Sequence, residues 1–110
     1  MLPKTFSGKM TFATKLNGDT LIASGESDTI HWGHNFKILT ISADSGRYFT
    51  VNHANKSVQL NNDGLQSQGF EGSALEGFWE IRTLLTDEEK ADRKKIPNFI
   101  TIKFTAEKRK

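Results

Sequence analysis

The feature that most constrains this chain is the alternation of apolar and polar side chains along much of its length. From Phe6 to Leu16, most even-numbered positions are apolar and most odd-numbered positions are polar. Successive side chains of a β-strand point to opposite faces, so this period of two predicts a strand with one buried face. The alternation returns at 47–53, 57–61, 78–85 and 99–105, the segment 36–42 is mostly apolar as in a central strand, and 29–32 is a short further candidate.

Turn-forming residues separate these segments. Asn17-Gly18 is the strongest hairpin signal, because a type I′ turn needs a positive φ at both central residues. With these two residues at the centre, Leu16 would pair with Asp19. We expect further turns at 43–46, at Asn55-Lys56 and at 62–64. The pattern predicts an all-β fold, an antiparallel sandwich or small barrel of about seven to eight strands.

One segment, near 86–95, has the features of a short helix. Thr86 and Glu89 have the spacing of a capping box, with Thr86 as the N-cap. Glu89 and Arg93 stand four residues apart, which favours an ion pair on one helix face, and Pro97 ends the segment. Because Ala91 is its one apolar residue, we expect an exposed helical connection between two late strands.

The length and composition limit the class of protein. A chain of 110 residues predicts a single domain over 1–110, and the lack of cysteine excludes disulfides and thiolate metal sites. No apolar run is long enough for a membrane span and no secretory leader is visible, so a small soluble cytoplasmic domain is expected. Phosphate-binding loops, dinucleotide fingerprints and nucleophile elbows are missing, so we expect no cofactor and no enzyme activity.

Charge is concentrated in a basic C-terminal region. Residues 90–110 hold eight basic and two acidic side chains, whereas residues 1–89 hold seven basic and eleven acidic ones. Such a region can attract acidic partners, and its lysines and arginines could pair with phosphates. The alternative is a solvated terminus, with part of the excess explained by basic residues in the last turn of the helix.

Aromatic residues near basic ones suggest a second possible surface. A stacking platform for single-stranded nucleic acid needs ring faces exposed on a sheet with Lys or Arg beside them. Phe99 and Lys103 share one face of the last predicted strand. We expect Phe49 and Phe99 to be core residues instead, because a small β domain needs most of its Phe inside. Tyr48 and Trp32 are the aromatic residues that we expect to be exposed.

The three histidines permit a metal site or an acid–base pair for RNA cleavage. His31 and His34 are three residues apart, which places them on opposite faces of a strand unless Gly33 bends the chain. His53 is distant in sequence, and no acidic ligand pattern accompanies any of them. Ordinary surface or loop histidines are therefore the favoured interpretation.

Several segments between 36 and 82 follow a family pattern. They are a strand at 37–41, the Gly46-Arg47-Tyr48-Phe49 strand, Val58-Gln59-Leu60-Asn61 and the closing strand Phe78-Trp79-Glu80-Ile81. In this order they resemble one repeat of a fascin-like β-trefoil. The resemblance implies a β-trefoil-like fold as the alternative architecture, and a non-catalytic domain that binds protein or carbohydrate.

The leading hypothesis is a non-catalytic interaction module that binds another macromolecule, a protein ahead of a carbohydrate. It would use loops, chiefly Gln66 to Gly77, and an exposed strand face. The predicted binding residues are Trp32, His34, Arg47, Tyr48, Lys94, Lys95, Lys103, Lys108 and Arg109. The alternative is a nucleic-acid-binding protein that uses the basic C-terminal region, and the second alternative is a small histidine-dependent RNase.

Overall fold

The computed structural model describes residues 5–27, 36–43, 47–60 and 69–108. Within these ranges the chain forms seven strands, one short α-helix and one 3₁₀ helix. The strands are β1 (Thr5–Asn17), β2 (Thr20–Glu26), β3 (Phe36–Ala43), β4 (Phe49–His53), β5 (Lys56–Leu60), β6 (Phe78–Leu84) and β7 (Phe99–Lys108). The helix α1 is Asp87–Ala91, and the 3₁₀ helix is Arg93–Lys95. The predicted candidate strand at 29–32 lies outside the described residues.

The strands form one antiparallel sheet in the order β3-β7-β1-β2-β6-β4-β5, which curls into a nearly closed barrel. The predicted all-β fold with one short helix is therefore confirmed. Most strands turn one set of alternate side chains inward, and on β6 the predicted set of Trp79, Ile81 and Thr83 is buried. On β3 the register shifts between Ile38 and Thr40, so the buried residues are Phe36, Ile38 and Ile41. None of the described helices is long and apolar enough to cross a membrane.

The segment 69–77 lies where the sheet would otherwise be open. Phe70 and Leu75 are fully buried in the core. The amide of Ile38 on β3 donates to the carbonyl of Ser73 over 2.8 Å, and the amide of Leu75 donates to the carbonyl of Phe36 over 3.0 Å. The described part of the predicted contact loop at 66–77 is therefore held against β3 and the core, while 66–68 lie outside the described residues.

The predicted register of the first hairpin is wrong by one pairing step. Asn17 pairs with Thr20 and Leu16 pairs with Leu21, so Gly18-Asp19 forms the turn. Of these two residues, Gly18 alone has a positive φ, of 64°, as in a type II′ turn. The observed register sets Leu16 against another leucine and not against Asp19. Since the partner shifts by two residues, every side chain keeps its predicted face.

The turn between β4 and β5 also lies one residue earlier than predicted. Its central residues are Ala54 and Asn55, with φ values of 53° and 60°, and Lys56 already belongs to β5. This register sets Phe49 against Leu60 and Val51 against Val58. A turn centred on Asn55-Lys56 would set Phe49 opposite Asn62 instead, so the observed register stabilises the hairpin by giving Phe49 an apolar partner.

A glycine on the inner face of β1 makes room for a core aromatic ring. Gly8 is directly opposite Phe104 on β7, and a Cβ atom on Gly8 would lie 2.7 Å from Cζ of that ring. We expect Gly8→Ala to lower the free energy of unfolding by about 1–3 kcal/mol, because the ring must leave its position. Urea denaturation followed by tryptophan fluorescence measures the change. Ser7→Ala, on the exposed face beside it, is the control and should change little, and equal stability of both variants would contradict the close packing.

Candidate functional site

A groove on the outer face of the barrel carries two large exposed side chains. Tyr48 is 67% exposed and Leu84 is 71% exposed. We call this surface, of about 400 Å³, the Tyr48 groove, and its lining includes Tyr48 and Leu84 together with Thr20, Thr50, Gln59 and Arg82. The predicted exposure of Tyr48 is thus confirmed, whereas no sequence signal marked Leu84 as its neighbour.

An ion pair beneath the groove fixes its position. The guanidinium of Arg47 donates two hydrogen bonds to the carboxylate of Glu89, over 2.7 and 2.9 Å, and a third to the carbonyl of Leu84 over 2.6 Å. Such a bidentate pair is both strong and specific in geometry. Arg47, predicted as a binding residue, therefore lines the groove but uses its charge to join the start of β4, the end of β6 and helix α1.

The helix differs from its prediction in what Glu89 contacts. The capping box is confirmed, since the amide of Thr86 donates to Oε1 of Glu89 over 2.9 Å and the amide of Glu89 donates to Oγ1 of Thr86 over 3.1 Å. However, α1 ends at Ala91, so the predicted partner Arg93 lies beyond it in the 3₁₀ helix. Glu89 is buried, which corrects the expectation that the whole connection is exposed.

Two further contacts order the groove. Oγ1 of Thr83 donates to the carbonyl of Tyr48 over 2.7 Å, which ties the main chain below the exposed ring to β6. Nε of Arg82 donates to Oε1 of Glu80 over 2.8 Å. This hydrogen bond from Arg82 is the main reason why the pKa of Glu80 lies below its ordinary value. The lining of the groove therefore includes a cation that a neighbouring carboxylate already orients.

A second groove, of about 590 Å³, lies around the β4–β5 turn and residues 76–78. His53 at its base is buried, and its ring stacks on Trp79 with centroids 3.7 Å apart. Nδ1 lies 2.8 Å from the carbonyl oxygen of Phe78 and Nε2 lies 2.7 Å from that of Ala74. Both ring nitrogens thus face main-chain carbonyl oxygens inside the protein.

The surface or loop position expected of His53 is therefore wrong, and the histidine is part of the core. His31 and His34 lie outside the described residues. Among the residues that the structure describes, no group of three His, Cys, Asp or Glu side chains is placed to hold a metal ion.

The structure does not bring the predicted basic residues together. Lys94 and Lys95 are exposed in the 3₁₀ helix before β7, whereas Lys108 is the last residue of that strand. Ten residues of extended chain span roughly 30 Å, so these two groups lie at opposite ends of β7. Lys103 lies between them, on the outer face directly opposite Lys9. The other predicted binding residues, Trp32, His34 and Arg109, lie outside the described residues.

Phe99 corrects the expectation that it is a core residue. Its side chain is 61% exposed, whereas Phe49 is buried as predicted. Ile100, Ile102 and Phe104 occupy the inner face of β7, so their odd-numbered neighbours must point outward. The alternation of this strand predicts the exposed position of Phe99, whereas the general preference of Phe for the interior predicts the wrong one.

No protein-family model matches the chain, and neither the curated proteins nor the solved structures include a match.

Hydrogen bonds to Glu89 make stability depend on pH. Chiefly through the hydrogen bond from Arg47, the pKa of this carboxyl is below its ordinary 4.5. Such a group stabilises the fold above its unfolded pKa, and this stabilisation is lost as the pH falls through the lower folded pKa. We expect Glu89→Gln to lower the free energy of unfolding by about 1–3 kcal/mol at neutral pH. The difference from wild type should shrink below pH 4.5.

Urea denaturation across a pH series tests this expectation. Glu88→Gln is the matched control, because its carboxylate is exposed and its nearest cation, Lys95, is 3.8 Å away. Parallel pH profiles for wild type and Glu89→Gln would show that the ion pair contributes nothing.

The contacts of His53 predict two variants of unequal stability. His53→Phe can keep the stack on Trp79 but removes the contacts of the ring nitrogens with two carbonyl oxygens, at least one of which is a hydrogen bond, so we expect it to lower the free energy of unfolding by about 1–3 kcal/mol. His53→Ala also leaves a cavity and should cost more. Thermal denaturation measures both, with Ser57→Ala in the same groove as the control. A His53→Phe protein as stable as wild type would show that the two carbonyl contacts are not important.

Proposed function

We propose that this chain is a non-catalytic interaction domain that binds a protein partner through the Tyr48 groove. The observation that carries the proposal is the neighbouring pair of Tyr48 and Leu84, each exposed over about two thirds of its surface or more. Single exposed apolar residues are common on protein surfaces, but adjacent large ones in a groove with a polar border are typical of interaction sites.

The composition of the groove supports a protein partner. Tyrosine and arginine are the residues most often found at the energetic centre of protein interfaces, and Tyr48 and Arg82 both line this groove. Thr20, Thr50 and Gln59 supply polar groups around them. Leu84 has no polar atom with which to bind sugar hydroxyls, so its burial requires an apolar surface. For this reason we favour a protein over a carbohydrate.

The rigidity of the groove supports binding as well. The main chain at Tyr48 is fixed on one side by the Arg47–Glu89 ion pair and on the other by the hydrogen bond from Thr83. A surface that is already ordered loses less conformational entropy when a partner binds. The fascin-like resemblance of residues 36–82 implies the same class of function, and that segment contains most of the groove.

The double variant Tyr48→Ala/Leu84→Ser tests the proposal. Each tagged protein is incubated with lysate of the native host, and retained proteins are quantified by mass spectrometry. We expect a partner retained by wild type to be depleted at least tenfold with the double variant, because two central apolar contacts are lost. The far-ultraviolet circular dichroism should not change, since both side chains are exposed.

The matched control is Phe78→Ser, which removes another exposed apolar side chain from the same strand, β6. It should retain the partner as wild type does. A photoreactive amino acid at position 84 should cross-link that partner, whereas the same group at position 78 should not. Equal retention by wild type and the double variant would refute binding through the Tyr48 groove.

A further inference from the structure

The outer face of β1 and β7 carries an exposed aromatic ring among lysines. Phe99 is directly opposite Ala13, and Lys9 is directly opposite Lys103 on the same face. Lys15 is two residues beyond Ala13, and therefore also on this face. We call this surface the Phe99 face, and its members are Lys9, Thr11, Ala13, Lys15, Phe99, Thr101 and Lys103.

The fold holds the ring of Phe99 in solvent. The next residue, Ile100, is buried, and a strand cannot turn Phe99 inward without turning Ile100 outward. Thr14 fixes the chain just before the strand, because its amide donates to the carbonyl of Asn98 over 3.0 Å and its hydroxyl donates to the carbonyl of Pro97 over 2.7 Å. The methyl group of Ala13 across the strand is too small to cover the ring.

The charges on this face have one sign. Lys9 and Lys103 occupy directly paired positions on neighbouring strands. β1 contains no acidic residue, and the one acidic residue of β7, Glu107, lies 2.9 Å from Lys37 near the far end of the strand. Between Lys15 and the Lys9–Lys103 pair these two strands therefore offer an anionic ligand no repulsion.

We propose that the Phe99 face binds single-stranded nucleic acid, with a base stacked on Phe99 and phosphates near the lysines. Stacking of bases on exposed aromatic rings, with basic side chains along the backbone path, is how sequence-tolerant single-strand binding works. Lys15 is a diagonal neighbour of Phe99, about 7–8 Å away, and Lys103 is four residues along the strand, roughly 13 Å away. A strand of nucleic acid that crosses Phe99 thus meets positive charge on both sides of the stacked base.

The 3₁₀ helix adds charge at one end of this path. Arg93, Lys94 and Lys95 are exposed just before Phe99. The hydrogen bonds of Thr14 to Pro97 and Asn98 bring this end of the connection beside Lys15. Lys95 lies 3.8 Å from the carboxylate of Glu88, so Arg93 and Lys94 are the residues of this group that extend the attraction for phosphates beyond the sheet. Of the basic residues in the C-terminal region, Lys103 and those just before the start of β7 are thus the ones that can contribute to phosphate binding at the Phe99 face, and Lys108 at the end of β7 is not among them.

A second exposed phenylalanine has the opposite surroundings. Phe78 on β6 is 54% exposed, is directly opposite Glu26, and is two residues from Glu80 on the same face. Its ring is as accessible as that of Phe99, but the neighbouring carboxylates repel phosphates. Comparing variants of Phe99 and Phe78 therefore distinguishes base stacking that is supported by positive charge from the effect of an exposed aromatic ring alone. The proposal is independent of the Tyr48 groove, which lies on β4 and β6.

Fluorescence anisotropy with labelled twelve-nucleotide oligothymidylate and oligouridylate tests the proposal on the full chain. We expect binding whose logarithm falls with the logarithm of salt concentration at a slope of about −2 from the three lysines of the Phe99 face, or about twentyfold between 50 and 200 mM salt, and more steeply with each further contact from the 3₁₀ helix. Phe99→Ala should weaken binding roughly 5- to 150-fold. Lys9→Ala/Lys15→Ala should make the salt slope less steep by about 1.4, because two phosphate contacts are lost.

Two matched controls accompany these variants. Phe78→Ala removes the other exposed ring, and Lys56→Ala removes a lysine at the β4–β5 turn, and neither should change the affinity. Thermal denaturation confirms that each variant is folded, which we expect because every replaced side chain is exposed. Tyr48→Ala/Leu84→Ser should bind the oligonucleotides as wild type does, so failure of the Tyr48 groove as a protein site would leave this result intact.

Three outcomes would overturn the proposal. The first is no binding by wild type at 50 mM salt. The second is equal affinity of wild type and Phe99→Ala, which would reduce the interaction to attraction between charges. The third is affinity for duplex of the same length, or for inorganic polyphosphate, as high as for the single strands, because neither competitor offers an unstacked base.

Discussion

Closure of the sheet between its edge strands β3 and β5 is the constraint on which the rest of this structure depends. The seven described strands end at β3 and β5 without pairing these two, and the segment 69–77 lies beside them with Phe70 and Leu75 buried in the core. The carbonyl of Leu75 accepts hydrogen bonds from Oγ of Ser27 and from Nε1 of Trp79, both over 3.1 Å. Elements from three parts of the chain thus meet at one turn, and His53 joins them through Ala74 and Phe78.

The two proposed surfaces follow from what the closed barrel does with alternating side chains. On most strands, alternate side chains fill the interior and the remaining side chains face outward. The outward-facing side chains are not constrained by packing in the core, so they can be apolar, polar or charged. Around β6 and the start of β4 they include Tyr48 and Leu84 over a buried ion pair. Around β1 and β7 they include Phe99 among lysines. Surfaces of different chemistry can therefore share one core.

Much of the fold could be predicted from the sequence, because alternation and capping are local signals. The strand faces of β1, β4, β6 and β7 and the capping box of Thr86 and Glu89 all follow from side chains close in sequence. The positions of the turns are harder to predict from local patterns. A shift of the strand pairing by one step leaves every side chain on the same face of the sheet and changes only which side chains are opposite each other, such as Leu16 and Leu21.

The candidate site was predictable only in part, because its contacts join residues far apart in sequence. Tyr48 was recognised as exposed, but its neighbour Leu84 and the Arg47–Glu89 pair connect segments that no local pattern relates. The buried role of His53 likewise depends on carbonyl groups more than twenty residues away. For Phe99, a general preference for burial was applied where the local alternation was the better guide.

The pairing of β1 with β7 has a consequence for how the chain reaches this state. Thr5 pairs with Glu107 and Ala13 pairs with Phe99, so the paired residues of these neighbouring strands are 102 and 86 positions apart in the sequence. Contacts of such high sequence separation slow folding, because the entropy of closing a long loop must be lost before they form. During synthesis β1 must wait until β7 has left the ribosome, with the apolar face of Met10 and Phe12 uncovered until then. The emergence of β7 therefore ends a period in which this face is open to aggregation.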